Sequence, residues 1–383
     1  MSQLRFQEAR SAFDKALAIE PDNPYTWSNY SGLLRTLGRL DEAGEFAGKA
    51  AQRLVNEPLV LLNHFLIEQE RDHLAQAISG YQQLATRWPE LPAVHYHLGQ
   101  ALVCQGEFAA AETSLSRCLM LDLGHDAAFQ SLVACWLGQR QFALALAYLE
   151  QRLATRPYNG YTIALRCIAQ RNLMRTDEAA VLDDPSRWLR CYHMDRPPQG
   201  FAALADFNQA LLAHVEAHPE LGAYSGQATI DGQRLNNLLE PVTGPTPVLA
   251  HWILQQLRDY LAWVRTQPHP FGKAVDATLA LRGWAILLRT GGYETPHLHP
   301  GGFISCVYYP SVPDVVSDSA DQAGNLVFGE PDPLFLLDQP GPMLSLTPAQ
   351  GMLAVFPSWL WHHTVPFSSE QPRLSLAFDL YPQ

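Results

Sequence analysis

Fourteen histidines are spread over 383 residues, and only backbone geometry that aims two of them the same way lets them share a ligand. His95-Tyr96-His97 lies in a helical pattern, where residues i and i+2 point about 200° apart, so this pair cannot hold one ion. His214 and His218 are one helical turn apart. H-V-E-A-H is not the zincin H-E-x-x-H, however, and nothing nearby in sequence adds a third ligand, so a solvated helix end is the better reading. His297-Leu298-His299 closes a segment of strand character, and along a strand residues i and i+2 project to one side, which suits chelation. A third imidazole comes from F-P-S-W-L-W-H-H-T-V-P-F, where a strand ends at Pro357, the chain turns, and His362 or His363 begins the next strand. Farther on, Leu374, Leu376, Phe378 and Leu380 line one face of a strand, so Arg373 and Ser375 share the other. An arginine inside a β barrel is costly unless it meets an anion, and its planar fork suits a carboxylate. That anion is either an internal acid such as Glu330 or Asp379, or a ligand bound beside the histidines. The short spacing to the histidine cluster favours the ligand.

The elements that must position these groups fill the last third of the chain. After Pro268, short segments rich in β-branched and aromatic residues follow one another between Gly and Pro: WAILLR, FISCVYYP, NLVFGE, MLSLTP, GMLAVFP, HTVPF and RLSLAFDLYP. Seven strands with no helical pattern between them predict an antiparallel sandwich or barrel of jelly-roll type. Two amphipathic helices, at about 201–218 and 246–265, precede them and are expected to cover one sheet.

The first half repeats. Small residues recur every 34 positions at Ala9, Ala43, Ala77, Ala111, Ala145 and Ala179. Large residues lead the units at Trp27, Leu61, Phe129 and Ile163, with His95 the exception, and prolines stand at Pro21, Pro89 and Pro157. Gly38 and Gly106 fall where a turn between helices needs positive φ. The period and columns resemble the tetratricopeptide repeat, a helix-turn-helix unit that must stack on its neighbours to bury its apolar face. The signal is strong to about 157 and weak from 158 to 190. Residues 2–20 match only the second helix of a unit, which is expected either to cap the array or to continue an earlier start. Such arrays usually bind a peptide or protein in their groove, so a partner or substrate is expected there rather than scaffolding alone.

H-x-H-P-G-G-F-I-S-C-V-Y-Y, G-N-L-V-F-G-E-P, P-A-Q-G-M-L-A-V-F-P-S-W-L-W-H and R-L-S-L-A-F-D, in that order, resemble the iron(II)- and 2-oxoglutarate-dependent oxygenases that are sometimes fused to tetratricopeptide repeats. The likeness covers about 200–383 and is dense from 284. It implies a double-stranded β-helix in which His297 and the distal His362 hold iron, while Arg373 and Ser375 grip the far carboxylate of 2-oxoglutarate. One position departs from the wider superfamily: His299 stands where most members have Asp. A two-histidine, one-carboxylate triad is diagnostic of such sites. Three neutral imidazoles leave a more positive centre, which the dianionic cosubstrate can balance, and His299 is expected to be the third ligand. His363, one residue on, is expected to face away. The implied reaction consumes 2-oxoglutarate and O₂, releases succinate and CO₂, and hydroxylates a peptide, protein or small molecule. Of Tyr308 and Tyr309, alternation sends one inward.

Composition narrows the rest. Twenty-six Lys plus Arg against 38 Asp plus Glu give a net charge of −12 with no long basic run, which disfavours nucleic acid and anionic membranes as partners. No signal-peptide core and no long apolar stretch is present, so a cytoplasmic protein is expected. Six scattered cysteines without C-x-x-C point to reduced thiols. The expected architecture is multidomain α + β: a helical tetratricopeptide solenoid over 1–190 and a jelly roll with supporting helices over 200–383. Two other functions stand beside the oxygenase. One is a three-histidine, cupin-like metal enzyme that ignores 2-oxoglutarate, which would have no use for an inward arginine. The other is a non-catalytic repeat adaptor. Substrate choice would rest with loops in 311–345, where Asp314, Asp318 and Asp321 read as a solvated acidic stretch.

Overall fold

A computed structural model describes residues 3–156, 159–223, 228–240, 243–267, 279–317, 321–333, 335 and 338–382; Pro157, Pro268 and Asp318 lie outside them. The chain forms two compact units, Met1–Gln141 and Phe142–Gln383.

The first unit is a series of helical hairpins: α1 (Gln3–Ile19), α2 (Pro24–Thr36), α3 (Leu40–Arg53), α4 (Pro58–Glu70), α5 (Leu74–Arg87), α6 (Pro92–Gln105), α7 (Phe108–Leu121) and α8 (Asp126–Gly138). Pro24, Pro58 and Pro92 each occupy the first helical turn, where the missing N–H costs nothing and the fixed φ suits the helix. Gly106 caps α6 at φ +81°, as the turn requires. The alanine column lies in the packed interior, Ala43, Ala77 and Ala111 being fully buried.

The 34-residue spacing of helix starts continues into the second unit, through α9 (Phe142–Thr155), α10 (Gly160–Asn172) and α11 (Thr176–Asp183). The faint sixth unit of the sequence is therefore helical and in phase. Ile163, Ala164, Cys167, Ala179 and Leu182 share one core with the strands that follow. Trp359 Nε1 donates to Leu182 O (3.0 Å), and Arg171 pairs with Asp183 at 2.5 Å. The change of sequence pattern near 190–200 and the boundary between compact units at 141/142 are thus different places.

Next come α12 (Pro185–Trp188), β1 (Arg190–His193), α13 (Leu204–Glu216), β2 (Thr229–Leu235), α14 (Thr246–Arg265), β3 (Leu279–Glu294), β4 (Ile304–Ser311), α15 (Asp314–Ser317), β5 (Leu326–Phe328), β6 (Leu344–Leu346), β7 (Met352–Pro357), β8 (His362–Thr364) and β9 (Arg373–Pro382). The strands build a six-stranded antiparallel sheet, β1-β7-β4-β9-β3-β2, and a three-stranded sheet, β6-β5-β8. This is the jelly-roll architecture, and all seven expected strands are present. The two that sequence pattern missed, β1 and β2, are edge strands. β1 is short and β2, T-I-D-G-Q-R-L, is mostly polar, so neither shows the apolar alternation of a covered strand. Helices α13 and α14 cover the outer face of the large sheet, where Phe207, Leu211, Ile253 and Leu257 pack with Leu374, Leu376, Phe378 and Leu380. That leaves the other face of β9 for chemistry. Among the described residues no helix is long and apolar enough to cross a membrane.

Candidate active site

His297, His299 and His362 converge at the mouth between the sheets, with one ligand atom from each lying within 4.8 Å of the others. Backbone pairing fixes them there. His297 and His362 form an isolated antiparallel bridge (N···O 3.0 and 2.9 Å), and His299 N donates to Ser358 O at 3.0 Å. A methyl at Gly302 would stand 2.6 Å from Ser358 Oγ, so the H-P-G-G turn needs glycine to fold this tightly behind His299.

In every one of the three rings Nδ1 is already engaged. His297 Nδ1 lies 2.7 Å from Thr295 O, His362 Nδ1 lies 2.9 Å from Leu360 O, and His299 Nδ1 lies 2.8 Å from Asp379 Oδ1. Nδ1 therefore carries the proton and Nε2 keeps its lone pair, which is how partners behind metal-binding imidazoles orient them. Burial pushes His297 below its ordinary pKa and His362 well below it, the latter aided by the neighbouring rings. Both are neutral near pH 7, the state that a metal ion requires.

Asp379 is fully buried beside His299. Besides His299 it accepts from Ser305 Oγ (2.7 Å) and from the Tyr381 hydroxyl (3.1 Å). A buried carboxylate thus stands directly behind the His299 ring, the position from which such a group orients an imidazole and offsets positive charge at a metal site.

Behind the histidines runs a narrow inner chamber lined by Ile286, Tyr309, Thr364, Arg373 and Ser375. Arg373 is 1% exposed, and among the described residues it pairs with no carboxylate. Its guanidinium lies over the Tyr309 ring (5.1 Å), while Arg373 Nε, Ser375 Oγ and the Tyr309 hydroxyl are buried without hydrogen-bond partners. Glu294 also lines the chamber but, among the described residues, forms no ion pair with Arg373. A buried cation without an ion pair costs several kcal/mol, and the unpartnered Arg373 Nε, Ser375 and Tyr309 groups fit a ligand oxygen anion that completes them. The carboxylate of a small oxoacid suits that set, just as three Nε2 lone pairs suit a divalent iron ion.

The other expected residues separate cleanly. His363 turns away, with Nδ1 3.6 Å from Glu330. Neither Glu330 nor Asp379 neutralises Arg373. Tyr308 points outward and donates to Asn208 Oδ1 (2.8 Å), leaving Tyr309 as the inward tyrosine, its hydroxyl pushed up to about 12 by burial. His95 binds Pro89 O, and His214 and His218 meet only ring to ring at 6.3 Å. No other metal-competent group of three occurs among the described residues. All six cysteines are unpaired. Sequence reasoning missed the part played by Asp379: the alternation of Arg373, Ser375, Ala377 and Asp379 puts it on the inner face but does not show that its partner is His299.

Comparison with known proteins gives two family matches. Residues 282–379 match the family described as "Putative 2OG-Fe(II) oxygenase", and residues 1–61 match the tetratricopeptide repeat. No curated protein matches the chain. Among solved structures, a Pseudomonas putida prolyl-4-hydroxylase is similar at 20% identity and a TM-score of 0.37, over 53% of this chain and 98% of that one. A tetratricopeptide repeat protein from Parabacteroides merdae is similar at 16% identity and a TM-score of 0.42, over 46% of this chain and 70% of that one.

Proposed function

We propose that this chain, which joins a tetratricopeptide repeat region to a 2OG-Fe(II) oxygenase domain, is a hydroxylase with Fe(II), 2-oxoglutarate and O₂ as its cofactor and cosubstrates. The observation that carries the reading is the pairing of two unfinished sets in one cavity. Three imidazoles present free Nε2 atoms, and a buried, unneutralised Arg373 faces the same chamber beside Ser375. His297, His299 and His362 would hold iron, and Arg373 and Ser375 would take the distal carboxylate of 2-oxoglutarate. When bound, the metal supplies oxygen activation coupled to loss of CO₂ from the keto acid.

The protein's own work is positional. Thr295 O, Leu360 O and Asp379 keep each imidazole in the Nδ1–H form, so no tautomer change precedes binding. Arg373 meets its anion in a water-poor chamber, where a charge-assisted contact is strong. Phe356 and Phe328 pack against the His362 ring and exclude water from that flank. Asp379 offsets the positive charge of a three-imidazole site. The repeats are read as the binding surface for a peptide or protein, either substrate or partner.

The test is 2-oxoglutarate turnover. With Fe(II) and O₂ the protein should form succinate even without its primary substrate, and Arg373→Ala should stop this at low 2-oxoglutarate. Absence of succinate at saturating cosubstrate would remove the proposal.

A further inference from the structure

Outside the inner chamber the histidines also border an open basin of about 370 Å³. It shares Trp284, His297 and His299 with the inner chamber, so whatever sits in it meets the metal face from the solvent side. The lining carries two arginines and two asparagines. Arg234 of β2 lies over the Trp284 ring (5.0 Å), with its Nε donating to Asn236 Oδ1 at 2.9 Å. Arg282 of β3 lies over the Tyr381 ring (4.8 Å). Neither forms an ion pair with a carboxylate among the described residues, and both belong to a chain of net charge −12. The one acidic residue in the lining, Asp379, has its oxygens committed to His299, Ser305 and Tyr381. Stacking on aromatic faces holds both guanidinium planes in place while leaving their N–H edges available.

We infer that this basin receives the primary substrate through an anionic oxygen group, a carboxylate or a phosphate ester, held by Arg234 and Arg282 while the adjoining part of the molecule is presented to the histidine face. The inference rests on the oxygenase reading for what happens to the substrate, but not for its charge. The basin is where the substrate must stand, and its free charges are positive.

The test is calorimetric titration of the full chain, held anaerobically with Fe(II) and one equivalent of 2-oxoglutarate, with benzoate, phenyl phosphate and benzylamine. These probes share an aryl group that suits the Trp284 and Tyr381 walls and differ in charge. Either anion should bind while benzylamine does not, and whichever anion binds more tightly identifies the group. R234Q and R282Q should each weaken binding about tenfold or more, and R234K should retain most of it. Because Arg282 is exposed, R282Q reports even if R234Q fails to fold. Equal or tighter binding of benzylamine, no binding of any probe, or anion binding that survives R282Q and R234K,R282Q but vanishes in R373A would overturn the inference. A chain that takes up neither iron nor 2-oxoglutarate yet binds anions through Arg234 and Arg282 would instead sink the oxygenase reading and leave the anion basin standing.

Discussion

The motif His-x-His occurs twice in this chain with opposite results. In α6, His95 and His97 leave their helix in different directions: His95 binds Pro89 O at 2.8 Å, while His97 stacks on Tyr81 with ring centroids 6.2 Å apart. Between β3 and β4 the same spacing brings His297 and His299 to 5.4 Å, and both rings to within 5.0 Å of His362. The histidine spacing is identical, with Tyr96 between one pair and Leu298 between the other. The period of the backbone, 3.6 in one case and 2 in the other, decides whether two imidazoles are core packing or a chelate. What surrounds them differs as well: the strand pair has hydrogen-bond partners behind every Nδ1.

The sharpest way to break this comparison is to remove one ring from each pair. His362→Ala or His297→Ala should abolish stoichiometric Fe(II) binding, measured by anaerobic equilibrium dialysis, while His95→Ala leaves it intact. His363→Ala, adjacent in sequence but turned toward Glu330, should also leave it intact; iron loss there with retention in His362→Ala would reverse the assignment. Next in size is Arg373→Ala. Stranding one partner of a buried charge pair costs ~2–5 kcal/mol, so 2-oxoglutarate affinity should fall by about 30-fold or more with little change in iron affinity. Asp379→Asn should weaken iron by about 10–100-fold, the usual cost of losing the group behind a ligating imidazole. If it weakens 2-oxoglutarate instead, Asp379 serves the inner chamber and not His299.

The smallest expected effect concerns pH and involves both pairs. Burial lowers His97 to about 4 and holds His297 and His362 below the ordinary 6.5. A histidine depressed in the folded state refuses protons that the unfolded chain accepts. Its contribution to stability is therefore complete above pH 6.5 and lost as pH falls from there toward the folded pKa. Metal-free protein should melt at a lower temperature at pH 5 than at pH 7.5. His97→Gln should remove part of that difference, and added metal should shift the remainder, because protons and metal compete for the same Nε2 atoms.

Sequence disclosed the site to different depths for physical reasons. The 34-residue period and the seven apolar strands were legible because burial imposes periodicity on residue type, as at Ala77 and along Leu374 to Leu380. The facing of Arg373 and Ser375 followed from the same alternation. The edge strands β1 and β2 left no pattern because they have little to bury. Asp379 was legible in position but not in role: whether a buried carboxylate neutralises an arginine or supports a histidine depends on a long-range register, Arg282 opposite Asp379 and Ser305 opposite Asp379, that no local pattern encodes. Arg234 was invisible as a site residue for the same reason, since it reaches Trp284 only through the β2–β3 pairing.

The central claim is that His297 and His299 of the β3–β4 connection, His362 of β8 and Arg373 complete a single iron and 2-oxoglutarate site. Its most direct test is anaerobic addition of 2-oxoglutarate to the Fe(II)-loaded protein, monitored in the visible range. The account predicts a weak charge-transfer band that saturates at one equivalent, is missing in His362→Ala, and requires far more 2-oxoglutarate in Arg373→Ala. No band at saturating cosubstrate, or an undiminished band in His362→Ala, would contradict it.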